Sequence, residues 1–419
     1  MNNKPTIWII NHNAMPPSYG GLNRHHYFSR YLSKAGCRVK IFTASRIHNS
    51  DINILAEGRP FCEKIIGGVN YTFVRTGGYS GNGLSRVRNM LEFPLRIWGV
   101  VKRFVALEGK PDVVYTSSPD IFACFGAMLI AVRLKIPCIF EVRDLWPESI
   151  VAYGKASAWN PLIWAMFRLE GFMYRRADRL IFTMEGAKDY LIERGLARSI
   201  DMTKVHHINN GVDIEEFDRN EKEHPYRNPA LEGDESFKAV YAGSIRHVNN
   251  IEELVAAAEI LQSRRVNIRL ILFGDGDRAG DINKLIKEKR LRNITLERRV
   301  DRKYIPSILR QADACILHFK QSPVMRYGLS ANKLFDYLAA GKPVFSDLSS
   351  AYDVIERFGC GLSIGSQSPE AIADGIEGLV GLPGGVYRDY CENARLAAEQ
   401  YDYRALSKKL LDIIDGVLK

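Results

Sequence analysis

Apolar and polar positions follow two recurring patterns along this chain. Short runs of β-branched and other apolar residues, typical of buried strands, alternate with longer segments whose apolar residues recur every three or four positions, as in amphipathic helices. This alternation predicts strand–helix units on parallel sheets. In the first half the predicted strands are Thr6–Asn11, Arg38–Thr43, Tyr71–Arg75, Asp112–Thr116, Cys138–Val142, Arg179–Thr183 and Val205–Ile208. In the second half they are Lys238–Ala242, Arg269–Phe273, Ile294–Glu297, Ala314–His318 and Pro343–Ser346.

Amphipathic segments between these strands predict helices, which include Asn23–Lys34, Ile121–Leu134, Pro161–Arg176, Ile251–Gln262 and Arg278–Lys289. The predicted fold class is therefore α/β, with two Rossmann-like, doubly wound parallel-sheet domains that face each other across a cleft. Ligands of such sheets bind beyond the carboxyl ends of the strands, so the segments that directly follow strands are the candidate sites.

The chain of 419 residues is longer than the roughly 250–300 residues at which one core stops growing, which also predicts two domains. The stretch Phe217–Phe237 is rich in Asp, Glu, Asn, Pro and Gly and lacks periodicity, so it is the predicted linker. We expect domains at residues 1–205 and 206–395, followed by a helix within residues 396–419 that packs back on the first domain.

Composition is that of an ordinary globular protein, with 46% hydrophobic and 25% charged residues. The apolar run Ile7–Ile10 is too short for a signal peptide, and charges interrupt every longer run before the ~20 residues of a membrane span. The seven cysteines occur singly and without zinc-binding spacing, which favours a reducing compartment. The expected location is the cytoplasm.

The net charge is +10, and the excess of basic residues that produces it is in the first half of the chain. Residues 1–205 contain 28 Lys and Arg against 16 Asp and Glu, whereas residues 206–419 contain 30 against 32. A basic half favours an anionic partner, and nucleic acid, an anionic membrane surface and a diphosphate-bearing substrate all qualify on charge alone.

Two glycine-containing turns follow predicted strands. Gly20 and Gly21 would let the backbone take positive φ and approach a ligand, although a plain tight turn has the same composition. The segment Leu270–Ala279 satisfies G-x-G-x-x-[GA], and we interpret it as a turn whose backbone faces a nucleotide. Asp275 and Asp277 within it resemble a metal-binding pair, but such carboxylates are more often solvated or capping, so no metal is expected.

The segment Ser330–Val344 predicts a three-turn helix that Ser330 caps. Asn332 and Asp336 lie about 6 Å apart along one face at ~1.5 Å per residue, and Lys333 stands at the positive amino end. Backbone amides and an ammonium suit phosphate oxygens, and a carboxylate one turn later suits vicinal hydroxyls. The alternative is an amphipathic helix with a solvated polar face.

From residue 6 to about residue 405 the order of elements resembles the family-4 retaining glycosyltransferases, which have the GT-B fold. The residues that carry the resemblance are Gly20-Gly21, Asn210–Asp213, Tyr241–Ser244, Gly274–Gly276, Ala312-Asp313 and Ser330–Val344. The segment Glu141–Glu148 also resembles a subgroup that builds bacterial surface polysaccharides such as O-antigen, capsule and exopolysaccharide. The resemblance implies a nucleotide diphosphate donor, expected to be a UDP-sugar, bound by the second domain, and transfer of its sugar with retention, without metal or other cofactor.

This chain departs from the family pattern at the phosphate and sugar positions. If Asp336 is the second residue of the family's acidic pair, the first falls on Gly328, which has no side chain. Ser244 and Asn250 stand where the family has Arg and Lys, so Arg246 and Lys333 are the remaining cations for the diphosphate.

The resemblance and the strand ends together define the candidate site. The candidate catalytic residues are Arg143, Asp144 and Lys333. Arg143 and Asp144 would contact the reacting sugar or the acceptor, and the alternative for them is a buried ion pair that positions their loop. The candidate donor-binding residues are Gly20, Gly21, Gly243, Ser244, Arg246, Gly274, Val300, Gly328, Asn332 and Asp336.

Two basic segments predict peripheral binding to an anionic membrane. Leu84–Leu107 interleaves Arg86, Arg88, Arg96, Lys102 and Arg103 with Phe93, Trp98 and Phe104, and Trp159–Arg176 has a similar composition. The expected location is then the inner face of the cytoplasmic membrane, with a glycan on polyprenyl diphosphate as the acceptor. The alternatives are a nucleotide-sugar epimerase on the same fold and a non-catalytic nucleotide-sugar-binding subunit. Nucleic acid is not an expected partner.

Overall fold

The structure, a computed structural model, describes residues 4–20, 23–47, 52–55, 58–78, 84–154, 156–233 and 235–419. The chain forms two compact units. The first contains the residues up to Asn209 together with Tyr403–Lys419, and the second is Asn210–Asp402.

The first domain is built on an eight-stranded sheet whose order is β3-β4-β2-β1-β5-β6-β7-β8. Its strands are β1 (Thr6–Ile10), β2 (Arg38–Ala44), β3 (Phe61–Ile66), β4 (Val69–Val74), β5 (Val113–Ser117), β6 (Cys138–Val142), β7 (Arg179–Phe182) and β8 (Val205–His207). Its helices before the domain junction are α1 (Arg24–Lys34), α2 (Leu84–Glu108), α3 (Ile121–Leu134), α4 (Glu148–Ala152), α5 (Pro161–Arg176) and α6 (Ala187–Glu193). The central strand β1 pairs with β2 and β5, so the strand order reverses direction beside it.

The second domain has a six-stranded parallel sheet in the order β11-β10-β9-β12-β13-β14. Its strands are β9 (Phe237–Ala242), β10 (Ile268–Phe273), β11 (Ile294–Glu297), β12 (Ala314–Leu317), β13 (Val344–Ser346) and β14 (Gly361–Ser363). Its helices are α7 (Ile214–Glu223), α8 (Pro229–Glu232), α9 (Ile251–Ser263), α10 (Ala279–Glu288), α11 (Ile305–Arg310), α12 (Asn332–Ala340), α13 (Val354–Phe358), α14 (Pro369–Val380) and α15 (Gly384–Gln400).

Strand residues of the second sheet divide between two cores because successive side chains point to opposite faces. Val240 and Ile271 belong to one buried cluster, which also contains the inner face of α12. Their neighbours Tyr241 and Leu270 belong to the other, which contains the inner face of α9. The sheet is therefore covered by helices on both faces, as the doubly wound fold requires.

The last helix of the chain, α16 (Tyr403–Leu418), belongs to the first domain. Its residues Tyr403, Leu406, Leu410 and Ile414 are buried in the same cluster as the strand β1. The ring of Tyr403 stacks on that of Tyr27 in α1, with centroids 4.7 Å apart. The expected first boundary at 205/206 lies four residues before the observed one, and residues 396–402, expected to belong with the final helix, lie in the second unit.

Every strand predicted from the sequence is present, with ends that differ by at most two residues. The prediction was wrong in the stretch Phe217–Phe237, which is not a linker but contains the end of α7 and the whole of α8. Asp213 caps α7, its carboxylate accepting a hydrogen bond from the Glu216 amide at 2.9 Å, and Phe217 is buried in the core. Only two residues of α7 are buried, so its polar composition concealed the helix.

Two strands had not been predicted. β3 pairs antiparallel with β4, which makes it the exception to parallel pairing in its sheet. Its residues are exposed or half-buried, so it lacks the apolar run of a central strand. β14 has three residues and is half-buried at the edge of its sheet. Within the described residues, no helix combines the length and apolar character that crossing a membrane requires.

Candidate functional site

In the second domain the strand order reverses direction between β10 and β12, which flank β9. The loops that leave the carboxyl ends of β9 and β12 therefore run in different directions. Ligands of doubly wound sheets bind in the space between such loops. The predicted residues Gly243, Ser244 and Arg246 follow β9 directly, and Lys333 and Asp336 lie on α12, the first α-helix after β12.

Lys333 brings an unpartnered cation to this point. The residue is half-buried, yet its Nζ atom is shielded from solvent and has no hydrogen-bond partner among the described residues. Nζ lies 4.1 Å from the ring centroid of Tyr241 and 5.8 Å from that of Phe319. Burial lowers the pKa of the ammonium from its usual 10.5 to about 7, and the carboxylate of Asp347 offsets only part of that shift. A buried cation without a partner is costly, which is typical of a site that awaits an anion.

Gly243 lies against this cation, and the absence of a side chain at Gly243 makes room for the ammonium group. A β-carbon built on Gly243 would lie 2.8 Å from Nζ of Lys333 and 2.8 Å from the hydroxyl oxygen of Tyr241. Any larger residue at position 243 would therefore collide with the ammonium or displace it.

The loop after β9 is held from within its own domain. Tyr241 donates a hydrogen bond through its hydroxyl to the carbonyl oxygen of Ser244 at 2.9 Å. The Ser244 hydroxyl donates to Oδ1 of Asn249 at 2.8 Å. Arg246, the other cation expected near the diphosphate, is exposed. Asn250, where the family has a cation, adopts the left-handed conformation with φ +49°.

Gly274 and Gly276 serve close packing between two loops. A β-carbon on Gly274 would lie 1.9 Å from the carbonyl oxygen of Gly243, and one on Gly276 would lie 2.2 Å from that of Ile245. The Ile245 amide donates to the Asp275 carbonyl oxygen at 3.0 Å, which joins the two loops directly. The glycine pattern after β10 is therefore required by the neighbouring loop, and contact of Gly274 with a nucleotide stays a prediction.

The amino end of α12 differs from the sequence-based expectation. Ser330 does not cap it, because the cap residue is Ala331, which makes no side-chain capping bond. Instead the Ser330 hydroxyl oxygen accepts the backbone N–H of Asn210 at 3.1 Å, and its carbonyl oxygen accepts the Asn210 side-chain amide at 2.7 Å. Ser330 therefore fastens the segment before α12 to the start of the domain.

Asp336 and Asn332 lie on one face of α12, as the spacing predicted. Asp336 already has a cationic neighbour, since its Oδ1 atom lies 3.4 Å from a guanidinium nitrogen of Arg302. Burial raises the pKa of the Asp336 carboxyl, and Arg302 opposes that shift. The sequence did not indicate Arg302, which precedes α11 and has no motif around it.

Gly328 adopts φ +101° at the end of the short 3-10 helix Pro323–Tyr327. That conformation favours glycine, so the backbone here suits the absence of a side chain where the family has a carboxylate. Val300 is half-buried and packs against the core of the domain. Its position gives no contact that would assign it a role.

A second polar group at this edge was not predicted. His318, directly after β12, is fully buried, with Nδ1 2.6 Å from Oδ2 of Asp347 and Nε2 2.8 Å from the carbonyl oxygen of Asn250. Gln367 donates to the same Asp347 oxygen at 3.0 Å. His318 and Asp347 each follow a buried strand in the sequence, so their positions were visible, but their pairing across 29 residues was not.

In the first domain the glycine turn is only partly described. Gly20 has φ +149°, which agrees with the expectation of positive φ, and its N–H donates to the carbonyl oxygen of Pro17 at 3.4 Å. Gly21 lies outside the described residues.

Arg143 and Asp144 follow β6, as predicted. The backbone N–H groups of both donate to the hydroxyl oxygen of Ser118, at 2.8 and 3.3 Å. Nε of Arg143 is buried without a hydrogen-bond partner among the described residues. Much of the Asp144 residue is exposed, yet burial of its carboxyl group raises its pKa, and the charge of Arg143 opposes that rise. The alternative of a buried ion pair between these two residues stays a prediction.

Beneath these residues lies a buried polar network that the sequence did not reveal. Arg24 of α1 pairs with Glu141 of β6 at 2.7 Å and donates to the carbonyl oxygen of Ile208 at 2.7 Å. His25 shares a hydrogen bond with the Ser117 hydroxyl at 2.8 Å, and burial, followed by the charges of Arg143 and Arg24, lowers its pKa well below the ordinary value. The network ties α1 to the carboxyl ends of the central strands.

His12 and Asp120 form a further buried pair at this edge, with Nδ1 of His12 against Oδ2 of Asp120. The other oxygen of Asp120 caps α3 by accepting the amides of Phe122 and Ala123. The ring of His12 stacks on Phe93, with centroids 5.1 Å apart. His12 follows the first strand and Asp120 precedes a helix, but 108 residues separate them, so the sequence gave no reason to join them.

The expected membrane face is partly buried. Phe93 and Phe104 of α2, which the sequence placed among its basic residues, are 0% and 2% exposed and belong to the interior. Exposed aromatic side chains are found instead in α5 and just before it, where Trp159, Trp164 and Phe172 are 93%, 57% and 46% exposed. Arg86 lies in a part of α2 whose side chains are not described. Among the described residues, no group of three or more His, Cys, Asp or Glu lies together as a metal site would require.

Two family models match this chain. The model "Glycosyltransferase Family 4" matches residues 19–216, and the model "Glycosyl transferases group 1" matches residues 223–400. Among curated proteins, a protein described as a teichuronic acid biosynthesis glycosyltransferase, TuaH of Bacillus subtilis (strain 168), is 28% identical over 210 residues. That match spans 49% of this chain and 49% of the relative, so it covers about half the length of each.

Several solved structures share the fold over nearly the whole chain. Sucrose-phosphate synthase from Thermosynechococcus elongatus has a TM-score of 0.70 at 18% identity, covering 99% of this chain and 98% of its own. Alr3699/HepE of Anabaena, solved in complex with UDP-glucose, has a TM-score of 0.67 at 13% identity, covering 98% and 100%. WaaG, a glycosyltransferase involved in lipopolysaccharide biosynthesis, has a TM-score of 0.63 at 15% identity, covering 98% and 100%. The predicted GT-B fold is thereby confirmed.

Proposed function

Because this chain belongs to the family-4-like glycosyltransferases of GT-B fold, we propose that it transfers a sugar from a UDP-sugar to a lipid-linked glycan in the synthesis of a bacterial surface polysaccharide. The observation that carries the proposal is the buried ammonium of Lys333, which has no hydrogen-bond partner among the described residues and lies beside the backbone of Gly243. The complex of HepE with UDP-glucose and the relation to a teichuronic acid glycosyltransferase support the choice of donor and product class.

Lys333 supplies the cation for the departing diphosphate in this proposal. Breaking the anomeric C–O bond leaves negative charge on the diphosphate, and a fixed cation shielded from water stabilises that charge more than a solvated one would. An anion in front of Gly243 also gives the ammonium its missing partner. The backbone N–H groups of Ser244 and Arg246, in the loop after β9, are proposed as further donors.

Asp336 is proposed to bind the ribose hydroxyls. Its carboxylate has 17% side-chain exposure, so a hydroxyl can reach it from one side only. Arg302 beside it opposes the rise in pKa that burial causes, and so favours the ionised form that accepts hydroxyl protons. Asn332, one turn earlier on the same face, is proposed as an additional polar contact.

Recognition of the transferred sugar is proposed to come from the first domain and from backbone groups, because Gly328 offers no carboxylate. Nε of Arg143 is buried without a hydrogen-bond partner among the described residues, and Asp144, a largely exposed residue, follows it in the same loop. We propose retention of configuration without a metal, with the leaving phosphate accepting the acceptor's proton.

The proposed acceptor is a glycan on polyprenyl diphosphate, which requires contact with a membrane. Helices α2, α3 and α5 pack beside one another, since Pro94 of α2 meets Gly126 of α3, and the ring of Phe125 in α3 lies 6.3 Å from that of Phe172 in α5. Their exposed apolar residues are Leu91, Leu95, Leu129, Val132, Leu162, Trp164 and Phe172. The exposed arginines Arg88, Arg96, Arg168, Arg175 and Arg176 accompany them. Such a surface suits the headgroup region of an anionic bilayer, on the cytoplasmic side where the nucleotide sugar is available.

The test is a thermal-shift screen with UDP-, GDP-, ADP- and TDP-sugars, followed by a transfer assay with lipid-linked glycan in vesicles. Binding stabilises the fold by an amount set by affinity, so a UDP-sugar should raise the melting temperature most. Nuclear magnetic resonance of the product should show the anomeric configuration of the donor. A chain that no nucleotide sugar stabilises would contradict the proposal.

A second function is a nucleotide-sugar-binding subunit without catalytic activity. Gly328 favours it, because its φ of +101° fits the loss of a family carboxylate. Under this alternative the UDP-sugar stabilises the protein, whereas no sugar reaches any lipid-linked acceptor.

A further inference from the structure

A pocket of about 590 Å³ opens at the amino-terminal edge of the second sheet, the edge opposite Gly243 and Lys333. Its wall contains Ser236, which precedes β9, Arg269 at the start of β10, and Asn293, which precedes β11. The ends of α9 and α10 complete it. Nothing in sugar transfer at the other edge requires this pocket.

Four arginines line the pocket, namely Arg265, Arg269, Arg290 and Arg292. No acidic residue is among the described residues of its wall. Within the described part of the chain, Arg265, Arg290 and Arg292 form no ion pair with a carboxylate. Like charges that share one concave surface repel one another, and an anion placed between them would relieve that repulsion.

The carboxyl ends of α9 and α10 have the same arrangement of basic residues. Each helix is followed by two basic residues, Arg264-Arg265 and Lys289-Arg290. Arg264 is paired with Asp374 at 2.6 Å, and Lys289 is paired with Glu259 at 2.6 Å, both outside the pocket wall. The second residue of each pair, Arg265 or Arg290, lines the pocket and has no carboxylate partner among the residues that the structure describes.

Arg265 and Arg290 also hold an unfavourable backbone conformation. Their φ angles are +58° and +51°, in the left-handed region where helices usually place glycine. Arginine at such a position costs stability that glycine would not. The negative end of a helix dipole attracts cations, but a cation in ordinary conformation satisfies that attraction as well, as Arg264 and Lys289 demonstrate.

Polar groups in the wall organise the arginines and leave one acceptor unused. Oε1 of Gln262 accepts the backbone N–H of Arg292 at 2.7 Å, and its Nε2 lies 3.4 Å from the carbonyl oxygen of Arg290. Asn293 donates through Nδ2 to the carbonyl oxygen of Ala258 at 2.8 Å, while its Oδ1 atom is buried without a described partner. The contacts of Gln262 fix the backbone of Arg290 and Arg292 in the wall of the pocket.

We propose that this pocket binds a phosphate-bearing ligand distinct from the sugar donor. Guanidinium groups recognise phosphate oxygens through paired hydrogen bonds, and four of them line this one pocket. A sugar phosphate in solution and the headgroup of a phospholipid share this chemistry. The site is independent of the donor site, so the inference does not depend on the proposed transfer.

Inorganic pyrophosphate is the probe, and isothermal titration calorimetry of the full chain is the measurement. The double variant Arg290→Gln/Arg292→Gln removes two guanidinium groups from the wall, and Arg264→Gln/Lys289→Gln is the matched control with the same change in charge. Pyrophosphate affinity should fall about tenfold for each guanidinium removed from the wall and should not change in the control. Any binding near Lys333 is the same in both, so it does not affect the comparison.

The variant Arg265→Gly/Arg290→Gly separates binding from folding. Glycine relieves the left-handed conformation, so this variant should melt at a higher temperature and still lose pyrophosphate binding. Flotation with vesicles of phosphatidylglycerol and phosphatidylcholine identifies the source of the phosphate: loss of flotation in the pocket variants alone assigns a lipid headgroup, and unchanged flotation assigns a soluble ligand. Equal pyrophosphate affinity and equal flotation in pocket and control variants would overturn the proposal.

Discussion

A β-carbon built on Gly243 would lie 2.8 Å from the Nζ atom of Lys333, although 90 positions separate the two residues in the chain. The absence of a side chain at Gly243 makes room for a buried ammonium that has no hydrogen-bond partner among the described residues. The carboxylate of Asp347 offsets only part of the cost of burying this charge. The buried charge of Lys333 affects both the free energy of unfolding and the affinity for the donor, and the first three predictions follow from it.

Replacing Lys333 should separate activity from stability. Lys333→Ala should lower the transfer rate by about 10²-fold or more, because the leaving diphosphate loses its fixed cation. Lys333→Met preserves the shape of the side chain and removes the desolvated charge, so it should raise the free energy of unfolding by about 1–3 kcal/mol near pH 6. Denaturant titration and a transfer assay measure the two effects. Full activity in either variant would show that the phosphate site lies elsewhere.

Donor affinity should fall as pH rises above 7. The pKa of Lys333 is lowered to about 7 in the free protein, and a bound diphosphate raises it, so binding a UDP-sugar takes up a proton above that pH. The dissociation constant should rise about tenfold per pH unit between pH 7 and the pKa of the complex. Calorimetry in buffers of different ionisation enthalpy measures the uptake, and Lys333→Met is the control with no such dependence.

The lowered pKa of Lys333 makes donor affinity fall as pH rises, but it makes the free protein more stable as pH rises. Between pH 7 and 10.5 the unfolded chain keeps the proton that folded Lys333 releases. The unfolded state therefore binds more protons in this pH range. As pH rises, the free energy of unfolding of the wild type increases relative to that of the Lys333→Met variant. The advantage of the Met variant should accordingly shrink from pH 7 to pH 10. A constant difference would show that Lys333 is not desolvated.

Gly274→Ala should disrupt the loops after β9 and β10. The new β-carbon would lie 1.9 Å from the carbonyl oxygen of Gly243, so one loop must move, at a cost of about 1–3 kcal/mol or more. UDP-sugar affinity should fall with it, because Gly243 borders the site. Gly280→Ala, in α10 with nothing within 4 Å, is the matched control and should stabilise the helix by about 0.5–1 kcal/mol. Thermal unfolding of both variants measures the contrast.

Restoring the family carboxylate by Gly328→Glu should not increase activity. The backbone at φ +101° disfavours any side chain, so the substitution should lower the melting temperature and shift the segment before α12. The conservative comparison is Gly328→Asn, since asparagine tolerates positive φ better than glutamate does. A faster Gly328→Glu enzyme with an unchanged melting temperature would refute this expectation.

Membrane binding should depend on the aromatic residues in and before α5. Trp159 and Trp164 are 93% and 57% exposed, and the double variant Trp159→Ser/Trp164→Ser removes their contact with the bilayer. It should lose most co-flotation with anionic vesicles and leave UDP-sugar binding unchanged. Ile65→Ser, at a residue of β3 that is 75% exposed, is the control for loss of surface apolar area. Equal flotation of both variants would remove the membrane surface from the proposal.

The fold could largely be predicted because buried strands and amphipathic helices leave strong periodic signals. Ile268–Phe273 and Cys138–Val142 are mostly apolar and are buried on both faces, as a covered parallel sheet requires. The elements that were missed bury little. β3 is a mostly exposed edge strand, and α7 buries only Ile214 and Phe217. Such elements are fixed by their neighbours, and their own sequences carry little of the signal.

The site could be predicted where it depends on position within one segment. The spacing in α12 was sufficient to place Lys333 near the amino end of a helix and Asp336 one turn later. It could not reveal that Ser330 binds Asn210, or that Arg302 lies beside Asp336, because those contacts join distant parts of the chain. His12 and Asp120 illustrate the same limit in the first domain. A single sequence allows us to predict which residues follow strands, but it does not show which of those residues contact one another in the fold.

The position of α16 sets the order in which the domains can mature on the ribosome. Tyr403, Leu406, Leu410 and Ile414 fill the same core as β1, yet they are synthesised after every residue of the second domain. The second domain has all of its residues once Asp402 has been added, whereas the first keeps an open apolar surface until α16 has been added as well. A nascent chain halted after residue 402 therefore carries a complete second domain and an unfinished first one, which makes the earlier-synthesised domain the more dependent on chaperones.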